Sequence, residues 1–397
     1  MNVTRKQIAA LIELAEFYPV IGVLGPRQVG KTTMIKQFIS TLKKPSIYLD
    51  LEKPSDAQKL QEAELFFKAN ENQCIILDKV QIMPTLFPII RALVDENRIP
   101  LRFIVLGSAS PDIIRGSFES LAERIGYIDL KPFSYSELNS IPEISVQQHQ
   151  FRGGFPNSIL STSEKQSLRW LDDFIKTYLE RDLPLLGLSA SPLLVRRLWE
   201  MLAWQNGNLL NNSAIGKSLG LTNHTINSYI NYLEGAFMVI RLQPFSVNVK
   251  KRIVKSPKIY ISDTGVLHRL LRIQSFDQLL GMPMLGASFE AYVLQQITAE
   301  KDEDLAVYFY RTHAGTEVDI VLTRGITPVA CIEVKYTGTP KITKSLRNGI
   351  EDLHTEQNFI ITPSGDKYPA AKNITACSIA TFLLEFLPAL SQKNQTP

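Results

Sequence analysis

The chain has 397 residues, 45% hydrophobic and 21% charged, which excludes a disordered or fibrous protein and predicts a globular one of about two to four domains. A net charge of +4 is too small to name a polyanionic partner, and the three cysteines, Cys74, Cys331 and Cys377, lie far apart in apolar runs, favouring buried thiols in a reducing cytoplasm over disulfides. No apolar run approaches a membrane span, and MNVTRKQIAALIEL reads as an amphipathic helix rather than a signal peptide, so no membrane partner is expected.

Pro19 to Leu24 reads as a short buried strand, and Thr33 to Leu42 as a helix with Met34, Ile35, Phe38, Ile39 and Leu42 on its apolar side. Between them, Gly25-Pro26-Arg27-Gln28-Val29-Gly30-Lys31-Thr32 matches the phosphate-binding loop G-x-x-x-x-G-K-[ST] without a mismatch. Such a loop cradles phosphates with backbone N–H groups at a helix N-terminus, here running on into Thr33. Lys31 would reach the β- and γ-phosphates and the Thr32 hydroxyl would ligate Mg²⁺, so ATP with Mg²⁺ is the expected ligand.

Further along, Ser46 to Leu51 reads as a strand and Asp56 to Lys68 as a helical stretch. Cys74-Ile75-Ile76-Leu77-Asp78 has the Walker B pattern, a buried strand delivering Asp78 to the Mg²⁺. A helix over Leu86 to Glu96 and a strand over Leu101 to Leu106 follow, the strand ending in Gly107-Ser108, where Ser108 is placed to touch the γ-phosphate or the attacking water. Strands alternating with helices predict a parallel sheet with its site at the strands' C-terminal ends. Lys79 stands after Asp78, where a water-orienting Glu is usual, so nucleotide binding is expected and hydrolysis is in question; Glu52 is a candidate substitute acid. Arg124 has two readings, an arginine finger acting in a neighbouring subunit or a salt-bridged residue.

The order GPRQVGKTT, LDKVQ, VLGSAS, LAERIGYIDLKPFSYSEL and FRGGFP resembles a widespread prokaryotic family of AAA+-type ATP-binding proteins. The resemblance continues through TYLERDLPLLG, SYINYLE, KIYISDTGVL, EVDIVL and IEVKY, nearly the whole chain. It implies an N-terminal ATPase and a C-terminal domain of uncharacterised function. The family usually carries Asp-Glu-hydrophobic-Gln at Walker B, and often Gly where Glu123 stands; this chain departs at both positions.

Residues 155 to 205 read as helical, with Trp170, Phe174, Tyr178, Leu198, Trp199 and Leu202 as core and Arg181 and Asp182 as a local charge pair, a subunit contact being the competing reading. Residues 211 to 234 have the helix-turn-helix layout, with the turn at Gly220 and Thr222 or Asn223 capping a second helix that exposes Asn223, His224, Asn227 and Ser228. MVIRLQPF and the run from Lys250 to Ile261 read as a β-hairpin wing carrying Lys250, Lys251, Arg252, Lys255 and Lys258. His224, Asn227, Lys250, Lys251, Arg252 and Lys255 are therefore the candidate DNA contacts, with packing or an ATPase lid as the competing use of the module.

Near the C-terminus, Thr316 to Leu322 and Val329 to Tyr336 read as a hairpin turning at Thr323-Arg324-Gly325, with Asp319 on one face and Glu333 and Lys335 sharing a face of the partner strand. Upstream, Ser288 to Ile297 reads as a helix presenting Glu290. Glu on a helix, then Asp, then Glu-x-Lys resembles the PD-(D/E)xK nuclease superfamily. That resemblance implies Mg²⁺ or Mn²⁺ held by Asp319 and Glu333, Lys335 positioning water, and Glu290 completing the metal shell.

The expected fold class is α/β: a P-loop NTPase (AAA+-like) parallel sheet over 1–150, a helical linker or lid over 151–205, a winged helix over 206–275 and a restriction-endonuclease-like α/β domain over 276–397. The leading functional expectation couples ATP binding to a metal-dependent nuclease-like domain acting on DNA, with self-association through the ATPase domain. Roles in defence against foreign DNA or in mobile-element biology both suit this architecture. A nucleotide-switched DNA- or protein-binding module without catalysis is the second expectation, and a STAND-like signalling ATPase whose winged helix is a lid is the third.

Overall fold

A computed structural model of the chain describes residues 3–108, 121–246 and 251–392; Lys250 and the end of the VLGSAS motif lie outside these. The chain forms two compact units. The first comprises Met1–Pro132, Arg181–Ser189 and Asn231–Met238, and the second Phe133–Glu180, Ala190–Ile230 and Val239–Pro397.

In the first unit, β1 (Val20–Leu24), β2 (Ser46–Asp50), β3 (Cys74–Asp78), β4 (Phe103–Gly107) and β5 (Ile125–Asp129) form one sheet in the order β2-β3-β4-β1-β5. All neighbours are parallel. β1, β3 and β4 are buried at every position, the continuous apolar run expected of a parallel strand covered on both faces. β4 lies between the strand that leads into the P-loop and the strand that carries Asp78, an order that chain sequence alone does not reveal. The P-loop, Asp50, Asp78 and Ser108 therefore all stand at the same edge of the sheet. The stretch from Asp56 to Lys68, expected as one helix, is two, Pro54–Lys59 and Ala63–Ala69; the break lets both Leu60 and Ala63 enter the core beside Phe67.

The second unit opens with helices. Phe155, Trp170, Phe174, Tyr178 and Trp199 form a chain of ring contacts; Phe155, Phe174, Tyr178 and Trp199 are core, as their helical spacing predicts, and the half-buried Trp170 packs on them. Helix Asn212–Leu219 ends at Gly220, whose φ of 68° fits the left-handed cap that glycine favours. Thr222 Oγ1 accepts from the Thr225 N–H, so Thr222 caps the second helix, Asn223–Gly235. β6 (Val239–Leu242) pairs antiparallel with β7 (Lys258–Ile261), the two-stranded sheet expected of a wing.

The C-terminal sheet holds β8 (Leu305–Arg311), β9 (Glu317–Arg324), β10 (Thr327–Val334), β11 (Gln357–Thr362), β12 (Tyr368–Ala371) and β13 (Ile374–Ser378), in the order β12-β13-β11-β10-β9-β8. It is mixed: β10–β11 and β11–β13 are parallel, whereas β8–β9, β9–β10 and β12–β13 are antiparallel. The β9–β10 turn falls at Gly325-Ile326 rather than at Thr323-Arg324-Gly325. Gly325, with φ of 56°, supplies the left-handed residue that a two-residue hairpin turn needs, so β9 can stay paired through Arg324.

Candidate functional site

The P-loop joins β1 to helix Lys31–Ile39, whose N-cap, Gly30, has φ of 101°. Gly25 has φ of 148° and a Cβ there would lie 2.2 Å from the Leu130 carbonyl oxygen, so both loop glycines are demanded by geometry. Lys31 Nζ donates to the carbonyls of Gly25 (2.9 Å) and Pro26 (2.8 Å), folding its side chain back along the loop. Burial pulls its pKa down to about 8, against the attraction of Asp78. Thr32 Oγ1 donates to Asp78 Oδ2 at 2.7 Å, and the Tyr48 hydroxyl also donates to that carboxylate. Thr32 and Asp78 are thus adjacent hard oxygen donors at the strand edge, a pair that fits Mg²⁺ with the nucleotide. Gln28 and Thr33 are exposed, whereas Pro26 and Val29 are buried; the Val29 side chain belongs to the core, and only its backbone faces the loop's role.

Lys79, after Asp78, adopts a left-handed φ of 61° and turns its ammonium to Asp50 (3.1 Å) and Glu52. Glu52 is also paired with Arg181 at 3.2 Å. The acid offered by sequence as a substitute base is therefore held between two cations. Arg181 and Asp182 do not pair with each other: they lie in the π-helical turn Tyr178–Asp182, Arg181 meeting Glu52 and Asp182 meeting Arg27 of the P-loop. Sequence separation hid both partners. Ser108 Oγ accepts from Gln81 Nε2 at 3.0 Å, which brings the Gln of LDKVQ to the end of β4.

Arg124, the arginine-finger candidate, makes a two-pronged pair with Asp95 (2.6 and 3.1 Å) and donates to the Ala122 carbonyl. Its guanidinium is engaged within its own chain, which is the salt-bridged of the two readings. The adjacent Glu123, where the resembling family often has Gly, has φ of 66°, which gives the departure a physical meaning: a side chain in a backbone region that favours glycine.

In the C-terminal sheet, Glu290, Asp319, Glu333 and Lys335 come together as the sequence expects, but not as four free groups. Asp319 Oδ2 accepts from the Val334 N–H at 2.9 Å, fixing it against the Glu-Val-Lys strand. Lys335 pairs with Glu333 at 2.9 Å, and Thr343 Oγ1 donates to the other Glu333 oxygen at 3.0 Å. Among the described residues no three His, Cys, Asp or Glu side chains converge as a metal-ligand set. A residue assigned by sequence to the wing instead enters the cluster. Lys258 is only 2% exposed, and its Nζ lies 3.1 Å from Glu290, 2.8 Å from Glu317 and 4.0 Å from Asp319. Burial works against its charge, but Glu290, Asp319 and Glu317 outweigh this and hold its pKa above the usual lysine range. Burial, then the charge of Glu290, pushes the Asp319 carboxyl well above the usual carboxylate range, against the pull of Lys258. Lys258 was legible in one respect: in Lys258-Ile259-Tyr260-Ile261 the polar residues alternate with isoleucines and so share a face.

His224 and Asn227 are exposed on the second helix of the helix-turn-helix, and Arg241 reaches Asn227 at 3.3 Å, adding a cation that the helix itself lacks. Arg252 and Lys255 are exposed; Lys251 pairs with Asp352 at 2.6 Å. Lys250 lies outside the described residues.

Residues 18–139 match the model of an AAA domain, residues 143–277 and 285–382 those of two domains of unknown function. An uncharacterized protein of Mycobacterium tuberculosis and another of Mycobacterium bovis are each 36% identical to the chain over 377 residues, covering 95% of this chain and 84% of theirs. Among solved structures, a Walker-type ATPase of Pyrococcus abyssi matches 68% of this chain and 96% of its own at a TM-score of 0.50 with 14% identity, a likeness of fold. Together with the sheet order and the P-loop geometry, these make the N-terminal unit an AAA-type P-loop domain.

Proposed function

This chain belongs to the family of the two mycobacterial proteins, and from that premise we propose that it is an AAA-type ATP-binding switch, in which occupancy of the P-loop by ATP and Mg²⁺ is read through Arg27 and Asp182. The observation that carries the reading is the Arg27–Asp182 ion pair. Arg27 is a P-loop residue, and Asp182 closes a π-helical turn continuous with helix Glu164–Thr177. Arg27 would leave Asp182 for a bound triphosphate, Lys31 would leave the Gly25 and Pro26 carbonyls for its phosphates, and Thr32 and Asp78 would hold the accompanying Mg²⁺. With Lys79 on Asp50 and Glu52, the usual water-orienting acid is missing, which favours holding ATP over turning it over. We take DNA as the partner of the switched module, on the strength of the exposed His224 and Asn227 of the second helix and the exposed Arg252 and Lys255.

Trp170, Trp199 and Trp204 all lie between Glu164 and Gln205, so tryptophan fluorescence reports on these helices. Titration with ATP and Mg²⁺ should change the wild-type signal and leave that of Asp182→Asn flat, while ATP affinity in Asp182→Asn rises several-fold because its competitor for Arg27 is gone. An Asp182→Asn protein that binds ATP and responds as the wild type does would remove the proposal.

A second reading, metal-dependent cleavage of DNA by the C-terminal domain, rests on the meeting of Glu290, Asp319, Glu333 and Lys335, and requires that a divalent ion displace Lys258 from Glu290 and Asp319. Plasmid, duplex and single-stranded DNA incubated with Mg²⁺ or Mn²⁺ test it directly, and only cleavage lost in Glu333→Ala supports it.

A further inference from the structure

Four features of the C-terminal cluster bear on what cation it holds. First, Lys258 Nζ stands among Glu290, Glu317 and Asp319, at 3.1, 2.8 and 4.0 Å. Second, the lysine is not a mobile surface side chain. Its neighbouring backbone is pinned on both sides, Ile259 N–H donating to Asn208 and Leu210 N–H to Pro257, and the Phe309 ring centroid lies 5.6 Å from the ammonium. Third, Tyr260, two residues on and hence on the same face of β7, donates to the same Glu290 oxygen that Lys258 meets. Fourth, Glu333 is satisfied separately, by Lys335 and Thr343. Three buried or half-buried carboxylates need a cation nearby, since uncompensated charge in a low-dielectric site costs several kcal/mol per ion.

We infer that the Lys258 ammonium is the resident cation of this cluster, standing against Glu290 and Asp319, two of the three carboxylates to which the nuclease resemblance assigns a divalent metal. The residues present do not fit Mg²⁺ or Mn²⁺ there. A hard divalent ion requires a shell of oxygen ligands, and the position between Glu290 and Glu317 is held by nitrogen carrying its own positive charge. The domain then keeps a nuclease-like arrangement with a covalently supplied cation, and the carboxylates hold β7 against β9 and the helix carrying Glu290. This concerns the C-terminal domain alone and does not depend on the nucleotide switch.

The test is Mn²⁺ binding to the full chain without nucleotide, followed by the electron paramagnetic resonance signal of free Mn²⁺. Wild type, Asp319→Asn, Lys258→Met and Lys258→Met with Asp319→Asn are compared, with circular dichroism confirming the fold. The wild type should show no Mn²⁺ site that Asp319→Asn removes. Lys258→Met, which keeps an unbranched side chain one atom shorter and loses the charge, should bind Mn²⁺ at least tenfold more tightly at a site that the added Asp319→Asn abolishes. If Lys258→Met fails to fold alone, Mn²⁺ should restore its folding, and Lys258→Met with Glu317→Gln, which lowers the unpaired charge, takes its place. A wild-type Mn²⁺ site lost in Asp319→Asn overturns the inference, and so does a folded Lys258 variant that gains no site.

Discussion

Lys31 is half-buried in the loop and its pKa is lowered to about 8, because loss of solvation disfavours the ammonium more than Asp78 supports it. Phosphate favours the charged form and raises that pKa, so above pH 8 ATP binding must take up a proton. Affinity is then full below pH 8 and falls as pH rises, by up to about tenfold per pH unit until the pKa of the bound state is reached. Calorimetry in buffers of different ionisation enthalpy, at pH 7 and pH 9, should show weaker binding and proton uptake at the higher value. Lys79 bears on the next step. Its ammonium is fixed on Asp50 and Glu52 rather than turned to the phosphates. Lys79→Glu restores the acid usual at this position, and a positioned general base contributes about 10²-fold or more to such a step. Phosphate release should therefore rise at least about tenfold in Lys79→Glu; no rise would mean that another group already orients the water.

At the scale of elements, two stretches far apart in the chain close on each other through backbone. Asp263 caps helix Thr264–Leu270 by accepting from the Val266 N–H and also accepts from the Gly154 N–H at 2.8 Å. A Cβ on Gly265 would lie 2.2 Å from the Arg152 carbonyl oxygen, and one on Gly153, with φ of 71°, would lie 2.1 Å from Asp263 Oδ1. The FRGGFP and ISDTG segments are thus one packing unit, and the small residues in both permit the approach. Gly265→Ala forces two backbones apart and should destabilise the second unit by about 3 kcal/mol, within the range for overpacking a tight site. Urea unfolding followed by circular dichroism reads this as a lower midpoint. The helix-turn-helix needs no such long-range agreement, which is why Gly220, Thr222 and the spacing of Ile226 and Ile230 made it readable in advance.

At the scale of the whole molecule, the chain carries two sites of opposite character. The P-loop edge is a set of groups arranged for an anionic ligand with Mg²⁺, whereas the C-terminal cluster already contains its own cation. Ligand binding to the native state alone stabilises by about 2.7 kcal/mol at a free ligand concentration of 100 times Kd. ATP with Mg²⁺ should therefore raise the melting temperature of the wild type and leave Lys31→Ala unmoved, as a thermal-shift titration would show. Mg²⁺ without nucleotide should change neither.

Local pattern by itself determined the P-loop, the Walker B strand, the helix-turn-helix and the carboxylate strands, because each is written in contiguous residues whose spacing reports helix, strand or turn. Alternation put Asp319 on one face of β9 and Glu333 with Lys335 on one face of β10, while only the nuclease resemblance suggested that they form one site. What local pattern left undecided were partners. Arg181 and Asp182 looked like a pair because they are adjacent, yet consecutive residues point in different directions and each found a charge more than a hundred positions away. Arg124 had two readings, and its pairing with Asp95 at 2.6 Å could not be read from the sequence. Lys258 read as a wing cation until the fold brought it to Glu290 and Glu317. Which charge neutralises which depends on distance and dielectric, and both are set only when the chain has folded back on itself.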